Sequence, residues 1–239
     1  MKKVITIMAV LFCCLVMKAQ NLQVHYDFGK HIFPSSQNDR PQVTLTFEHF
    51  VPDALGSWFY FIDLDIKGKG MSGAYAEISR EFNLAESLPF AAHIEYNGGI
   101  NLAGSFQNVA LAGIAYNGNT KDFSKIWSIK ALYKQCFGNG KNKPVSGVQF
   151  TGVWETHFVG RKLTFSGFVD VWNGYIPEWD AQGQKQGWVI LAEPQLWYNF
   201  NKHFSVGTEV ELSNNFIYRT NDSKQTFLVN PTLAVKYNF

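Results

Sequence analysis

Cysteine is scarce in this chain, with three among 239 residues. Cys13 and Cys14 fall in an apolar N-terminal stretch, which leaves Cys136 alone in the remainder. One cysteine cannot form an internal disulfide, and Cys136 reads as a small loop residue rather than a reactive thiol. Long hydrophobic runs are missing as well. Val4–Val16 falls short of the roughly 20 residues a spanning helix needs, and no later segment approaches it, so helical membrane spans are excluded. Neither sign of charge dominates: 21 Lys and Arg stand against 19 Asp and Glu. Without a basic field there is no argument for nucleic acid. Metal spacings of the HExxH or CxxC kind do not occur. The glycine clusters Gly98-Gly99 and Gly138-Asn139-Gly140 read as loops between strands, which excludes a phosphate loop before a helix. No metal or cofactor is expected.

The first residues form a targeting segment. Met1, Lys2 and Lys3 supply a charged start, Val4–Val16 an apolar core, and Lys18-Ala19-Gln20 a cleavage site. Phe12 before Cys13 argues against lipidation, which needs a small residue there. The expected organisation is a signal peptide over 1–20 and one domain over 21–239. Cleavage removes three lysines and leaves a net charge near −1.

What the chain has is aromatics, 16% of its residues, with near-neutral mean hydropathy. It also alternates. Phe227, Val229, Pro231, Leu233, Val235, Tyr237 and Phe239 share one face of the last segment, which ends on the terminal aromatic. Twelve segments alternate with the period of a strand. The connections sort into two sets. Lys30–Pro41, Gly98–Gly104, Cys136–Val145, Asn173–Lys185 and Asn214–Gln225 are long and polar, with Gly68–Met71 the short exception; the intervening ones are mostly short. Bacterial outer-membrane barrels have an even strand number, short periplasmic turns and long outer loops. The expectation is therefore an all-β transmembrane antiparallel β-barrel of about 12 strands in the outer membrane. Both termini would be periplasmic, the barrel monomeric, and Phe239 a mark read by the barrel-assembly machinery.

The outward face is predicted to meet membrane lipid: Trp58, Tyr60, Ile62, Leu64 and Ile66 on one strand, Phe204, Val206, Val210 and Leu212 on another. Arg80 on that face is the costliest charge, relieved by snorkelling near a membrane boundary. Pro194 and Pro231 each remove a ladder donor, which a bulge could accommodate. The inward face collects Phe61, Asp63, Asp65, Tyr75, Glu77, His93, Glu95, Asp170, Trp172 and Glu193, the predicted lumen-lining, solute-binding residues. Any one of them could be salt-bridged filling. As a set they describe a solute path, because twelve strands enclose more room than eight. Acidic groups repel anions and accept cations or neutral hydroxylated solutes. Carboxylates accept hydrogen bonds and aromatic faces stack on rings. A nucleoside-like solute, neutral or cationic, fits that chemistry. The loop Asn173–Lys185, with Tyr175, Trp179 and Asp180, is expected to narrow the mouth.

Three stretches carry a resemblance: Phe47-Glu48-His49-Phe50, Trp58-Phe59-Tyr60-Phe61-Ile62-Asp63, and Tyr75-Ala76-Glu77-Ile78-Ser79-Arg80-Glu81-Phe82. They resemble the early strands of the Tsx-like nucleoside-specific channels, and Val235-Lys236-Tyr237-Asn238-Phe239 is similar to their close. The chain also looks like a related outer-membrane family known as a domain of unknown function. The Tsx-like resemblance implies a twelve-stranded barrel passing nucleosides by diffusion, with Asp63, Tyr75 and Glu77 at matched positions.

Two alternatives stand beside the channel. One is a closed structural or interaction barrel. The other is an outer-membrane lipid hydrolase, for which His203-Phe204-Ser205 would place a base and a nucleophile on one strand face. Both side chains are expected to turn inward beside Glu209, away from lipid, so no catalytic residue is assigned and the chain is read as a non-enzyme.

Overall fold

The computed structural model describes residues 20–239 except 35, 36, 38, 39, 69, 103, 140–142, 181, 182 and 217–226. For 175–180, 183 and 184 it describes the backbone alone. The expected signal segment up to residue 19 lies outside the described residues.

The strands are β1 (Gln20–Asp27), β2 (Val43–Asp53), β3 (Gly56–Lys67), β4 (Gly70–Asn83), β5 (Phe90–Asn101), β6 (Gly104–Ser105) and β7 (Val109–Asn119). They continue as β8 (Lys125–Cys136), β9 (Val145–Phe158), β10 (Leu163–Asp180), β11 (Gly183–Ala192), β12 (Gln195–Asn199), β13 (Phe204–Asn214) and β14 (Phe227–Asn238). One helical turn, α1 (Gly29–Ile32), follows β1. β6 is a two-residue piece beside β5, and β11 and β12 are halves of one crossing interrupted at Glu193-Pro194. Twelve antiparallel crossings result, and they close: β1 pairs with β14 from Asn21 opposite Asn238 to Asp27 opposite Thr232.

The pleat puts alternate residues on opposite faces. Outward stand Tyr26, Ile62, Ile78, Ile94, Ile129, Phe150, Leu233 and Tyr237, all exposed. Inward stand Gln23, His25, His93, Gln149 and Asn230, all buried. The polarity of a soluble domain is thus inverted, and an apolar surface running round a whole barrel is far larger than soluble monomers carry. Gln20 and Phe239 meet at one rim, the terminal end, where the Phe239 N–H donates to the Gln20 carbonyl. The connections at this end are short; at the far end β1–β2, β5–β7, β8–β9 and β13–β14 are longer, while β3–β4 and β10–β11 turn within two residues.

Several expectations are corrected by the backbone. Asn173–Lys185 is not simply a loop: β10 and β11 pair on to Trp179 opposite Gln184 and Asp180 opposite Gly183, with an irregularity between Tyr175 and Trp179. The ladder needs backbone alone, so it outlasts the apolar alternation that marks a strand in sequence. Whether Tyr175, Trp179 and Asp180 narrow the mouth concerns side chains outside the described ones. Gly98 and Gly99 lie within β5, opposite Ala76 and Tyr75, and the Phe106 ring occupies the space a Cβ on Gly99 would need. Cys136 ends β8 and packs inward with Val109, Leu111, Leu132 and Val145.

Neither proline needs a bulge. The register of β10 on either side of Pro194 is unchanged, from Val169 opposite Ala192 to Ser166 opposite Gln195. Gly167 faces this break at φ +149, and a Cβ there would strike the Glu193 carbonyl and Pro194. Pro231 stands opposite Val210, whose N–H donates to the Pro194 carbonyl. Beside it the ladder is mended by hydroxyls: Thr208 Oγ1 donates to the Thr232 carbonyl at 2.6 Å, and the Glu209 N–H to Thr232 Oγ1 at 3.1 Å. Arg80 does lie on the outward face. It is buried there against Asp53 at 2.8 Å, between the rings of Trp58 and Phe82.

Candidate functional site

The ten predicted lumen residues all occupy inward positions. Phe61, Asp63 and Asp65 project from β3, and Tyr75 and Glu77 from β4. His93 and Glu95 come from β5, Asp170 and Trp172 from β10, and Glu193 from the break between β11 and β12. Asp63 stands opposite Tyr75 and Phe61 opposite Glu77, with the Phe61 and Tyr75 rings 5.7 Å apart. Glu77, Glu95 and Asp170 are electrostatic neighbours, with Lys130 and Lys134 in reach of them.

Strands β4 to β10 make a wall of mixed charge. Buried His93 reaches Glu81 through Nδ1 and Glu95 through Nε2, both at 3.2 Å. Asn117 donates to Glu81 at 2.7 Å, Asn97 to Glu95 at 3.0 Å, and Lys130 lies 3.2 Å from Glu81. The two ring nitrogens each face a carboxylate acceptor, so the doubly protonated ring satisfies both. Lys134 donates to Gln149 at 2.6 Å and sits 4.0 Å from the Trp172 ring centroid. Thr151 donates to Asp170 at 2.5 Å. Below Lys134 lies the apolar cluster of β7, β8 and β9. This wall is filled and, Glu77 at its β4 border apart, paired.

The opposite wall, β12 through β14 and on to β3, is acidic. Asp27, Glu48, Asp63, Asp65, Glu193, Glu209 and Glu211 face inward against Lys236 and Arg40. Thr46 and Thr44 donate to Asp63 and Asp65 at 2.5 and 2.8 Å. Buried Trp197 donates to Gln195 at 2.9 Å, which donates to Glu209 at 2.6 Å. Lys236 lies 4.0 Å from the Trp197 ring centroid, and His25 meets the same indole edge-on. Asp63, Glu193 and Glu209 are electrostatic neighbours and only half-buried. Glu77 and Glu193 make no hydrogen bond among the described residues. Their carboxyl groups are left to water or to a solute.

Sequence reasoning missed a group at the far end. The β1–β2 connection folds inward over β14. Gln37, 3% exposed, donates to Asn230 at 2.7 Å, and Arg40 lies 2.8 Å from both Asp27 and Glu211. Burial works against the Arg40 charge, but Glu211 and Asp27 outweigh it and hold the guanidinium above its ordinary pKa. No alternation marks a connection, so the contact had no periodic signal; a lone Arg near a strand start was the one cue.

The hydrolase pair does not assemble. Ser205 is inward and fully buried, and its Oγ donates to Asn199 at 2.7 Å. His203 is not beside it in the lumen, as expected, but stacks on the outward Tyr237, with Nδ1 2.7 Å from the Asn238 carbonyl. The carbonyl can only accept, so that nitrogen carries a proton and is no base toward Ser205.

A closed barrel with an apolar outside and a charged inside defines the class of β-barrels built like outer-membrane porins. Residues 19–239 match the family described as Domain of unknown function (DUF5020), and the chain belongs to it. Among solved structures the fold is similar to the NanC porin, with a TM-score of 0.59 at 9% identity over 92% of this chain and 100% of that one. It is also similar to the KdgM porin, at 0.50 and 13% identity over 92% and 98%. LpxR from Salmonella typhimurium matches at 0.47 and 10% identity over 92% and 99%. No curated protein matches the sequence. At these identities the likeness fixes the fold.

Proposed function

We propose that this chain is an outer-membrane channel through which small polar solutes, neutral or cationic, diffuse. The observation that carries the reading is the acidic wall inside an outwardly apolar barrel, with Glu193 on it and Glu77 at its border, both half-buried and neither hydrogen-bonded among the described residues. Like charges in a narrow, low-dielectric passage repel anions and concentrate cations. The porin-like fold supports a channel, and the parted His203 and Ser205 argue against a lipid hydrolase. In this reading the signal segment directs export, both termini face the periplasm, Phe239 serves assembly, and the barrel works as a monomer. Phe61 and Tyr75 add ring faces that suit a nucleoside-like solute. Liposome swelling tests the proposal. Proteoliposomes should swell faster in nucleosides and amines than in organic anions of equal size. No swelling in any solute would refute the channel, and equal rates for sugars and nucleosides would refute the nucleoside preference.

A further inference from the structure

We propose that Arg40 sets the charge selectivity of the far mouth, held there by an inward-folded β1–β2 connection that acts as a fixed constriction. The selectivity half of this rests on the channel reading above; the docking of the connection does not. The connection is built into the wall. The Gly29 N–H donates to Asp27 Oδ1 at 2.6 Å, and a Cβ on Gly29 would collide with Asn230. The chain then runs by backbone bonds from Phe33 to Gln37 and from Gln37 to Arg40. Gln37 docks on Asn230, which is fully buried and itself donates to Glu211 Oε1 at 2.9 Å. Arg40 closes the circuit, with Nε on Asp27 at 2.9 Å and Nη2 on Glu211 at 2.8 Å.

Three strands are clasped in this way, since Asp27, Asn230 and Glu211 belong to β1, β14 and β13. All three are inward positions, so Gln37 and Arg40 lie inside the mouth and take up part of its aperture. Arg40 brings a positive charge to the entrance of the acidic wall. A bare acidic mouth would collect inorganic cations. A guanidinium there offsets the nearest carboxylates and leaves passage to neutral solutes and to amines that also carry hydroxyls.

Two measurements test the proposal separately. The first reads docking without any current. In a Cys136→Ser background, Gln37→Cys should react with a maleimide at least about tenfold more slowly than Leu102→Cys, and Arg40→Ala should remove that protection. Leu102 is a fair reference because it is 83% exposed. Fast labelling of Gln37→Cys with Arg40 intact would overturn the docking. The second reads selectivity in planar bilayers. Arg40→Gln should raise the cation-to-anion permeability ratio roughly fivefold and raise conductance, while Arg40→Lys keeps the ratio. Currents through Arg40→Gln identical to wild type would overturn Arg40 as the selectivity residue and leave the channel standing. A Gln37→Cys barrel that folds, protects its introduced thiol and, like wild type, passes no current would refute the channel, and with it the selectivity role, but not the clasp.

Discussion

The two halves of the inner wall are made of similar residues and do different things with them. From β4 to β10 the carboxylates other than Glu77 are paired: Glu81 and Glu95 hold His93, Asp170 takes the Thr151 hydroxyl, and Lys134 is buried against Gln149 and Trp172. An apolar cluster from Val109 to Val145 fills the same side. From β12 round to β3 the carboxylates crowd one another, with Glu193, Glu209 and Asp63 in mutual reach and Lys236 and Arg40 the cations on that wall. A buried polar network rigidifies when every member is satisfied. An unpaired, half-buried carboxyl group instead stays in contact with the lumen. One half is therefore mainly scaffold, and the other, with Tyr75 and Glu77 at its border, is the surface a solute meets.

Charge reversal is the strongest way to break this contrast. Replacing Glu193 and Glu209 by Lys should shift the permeability ratio toward anions by about a hundredfold, since each reversal changes the wall by two charges in a partly screened site. The same exchange at Glu81 and Glu95 should leave selectivity within a few-fold and impair folding. Equal shifts in bilayer reversal potential from both pairs would erase the distinction. His93→Ala gives the converse. It removes the buried donor that Glu81 and Glu95 share in the scaffold half and should cost about 3–5 kcal/mol in urea unfolding of the refolded barrel. Ion selectivity should barely move.

Gly167→Ala probes the seam where the halves meet. A residue with a Cβ is strained at φ +149 and would strike the Glu193 carbonyl, so a loss of roughly 1–3 kcal/mol is expected. Unfolding within a few tenths of wild type would show that the seam yields. The smallest effect lies in the turn between β7 and β8. Hydrogen bonds from Thr120 and Ser124 lower the Asp122 pKa from 3.8 to about 2. A depressed folded pKa means the stabilisation is present above pH 3.8 and is lost as pH falls toward 2. Amide exchange at Ser124 should quicken across that window in wild type and show no such step in Asp122→Asn.

The barrel was legible because alternation is a property of every spanning strand. The inward assignment of Asp63, Glu77 and Glu193 follows from that period, and a strand cannot shift by one residue without turning its whole apolar face inward. Pairing was less legible. Which carboxylate meets His93 depends on the register between β4 and β5, and that register has no local signature. The prolines left the question of bulges open because sequence shows the lost donor but not the Thr208 and Thr232 hydroxyls beside Pro231. Arg40 was invisible for a different reason. A connection has no periodicity, so nothing in the order of residues says that it folds back into the mouth.

The central claim is that the acidic wall faces the permeation path. The reversal potential of wild-type barrels in a KCl gradient across a planar bilayer tests it most directly. The account predicts a potential of the sign that marks K+ as the favoured ion, growing as salt is diluted and screening weakens. A potential of the opposite sign, or one that ignores salt concentration, would contradict it.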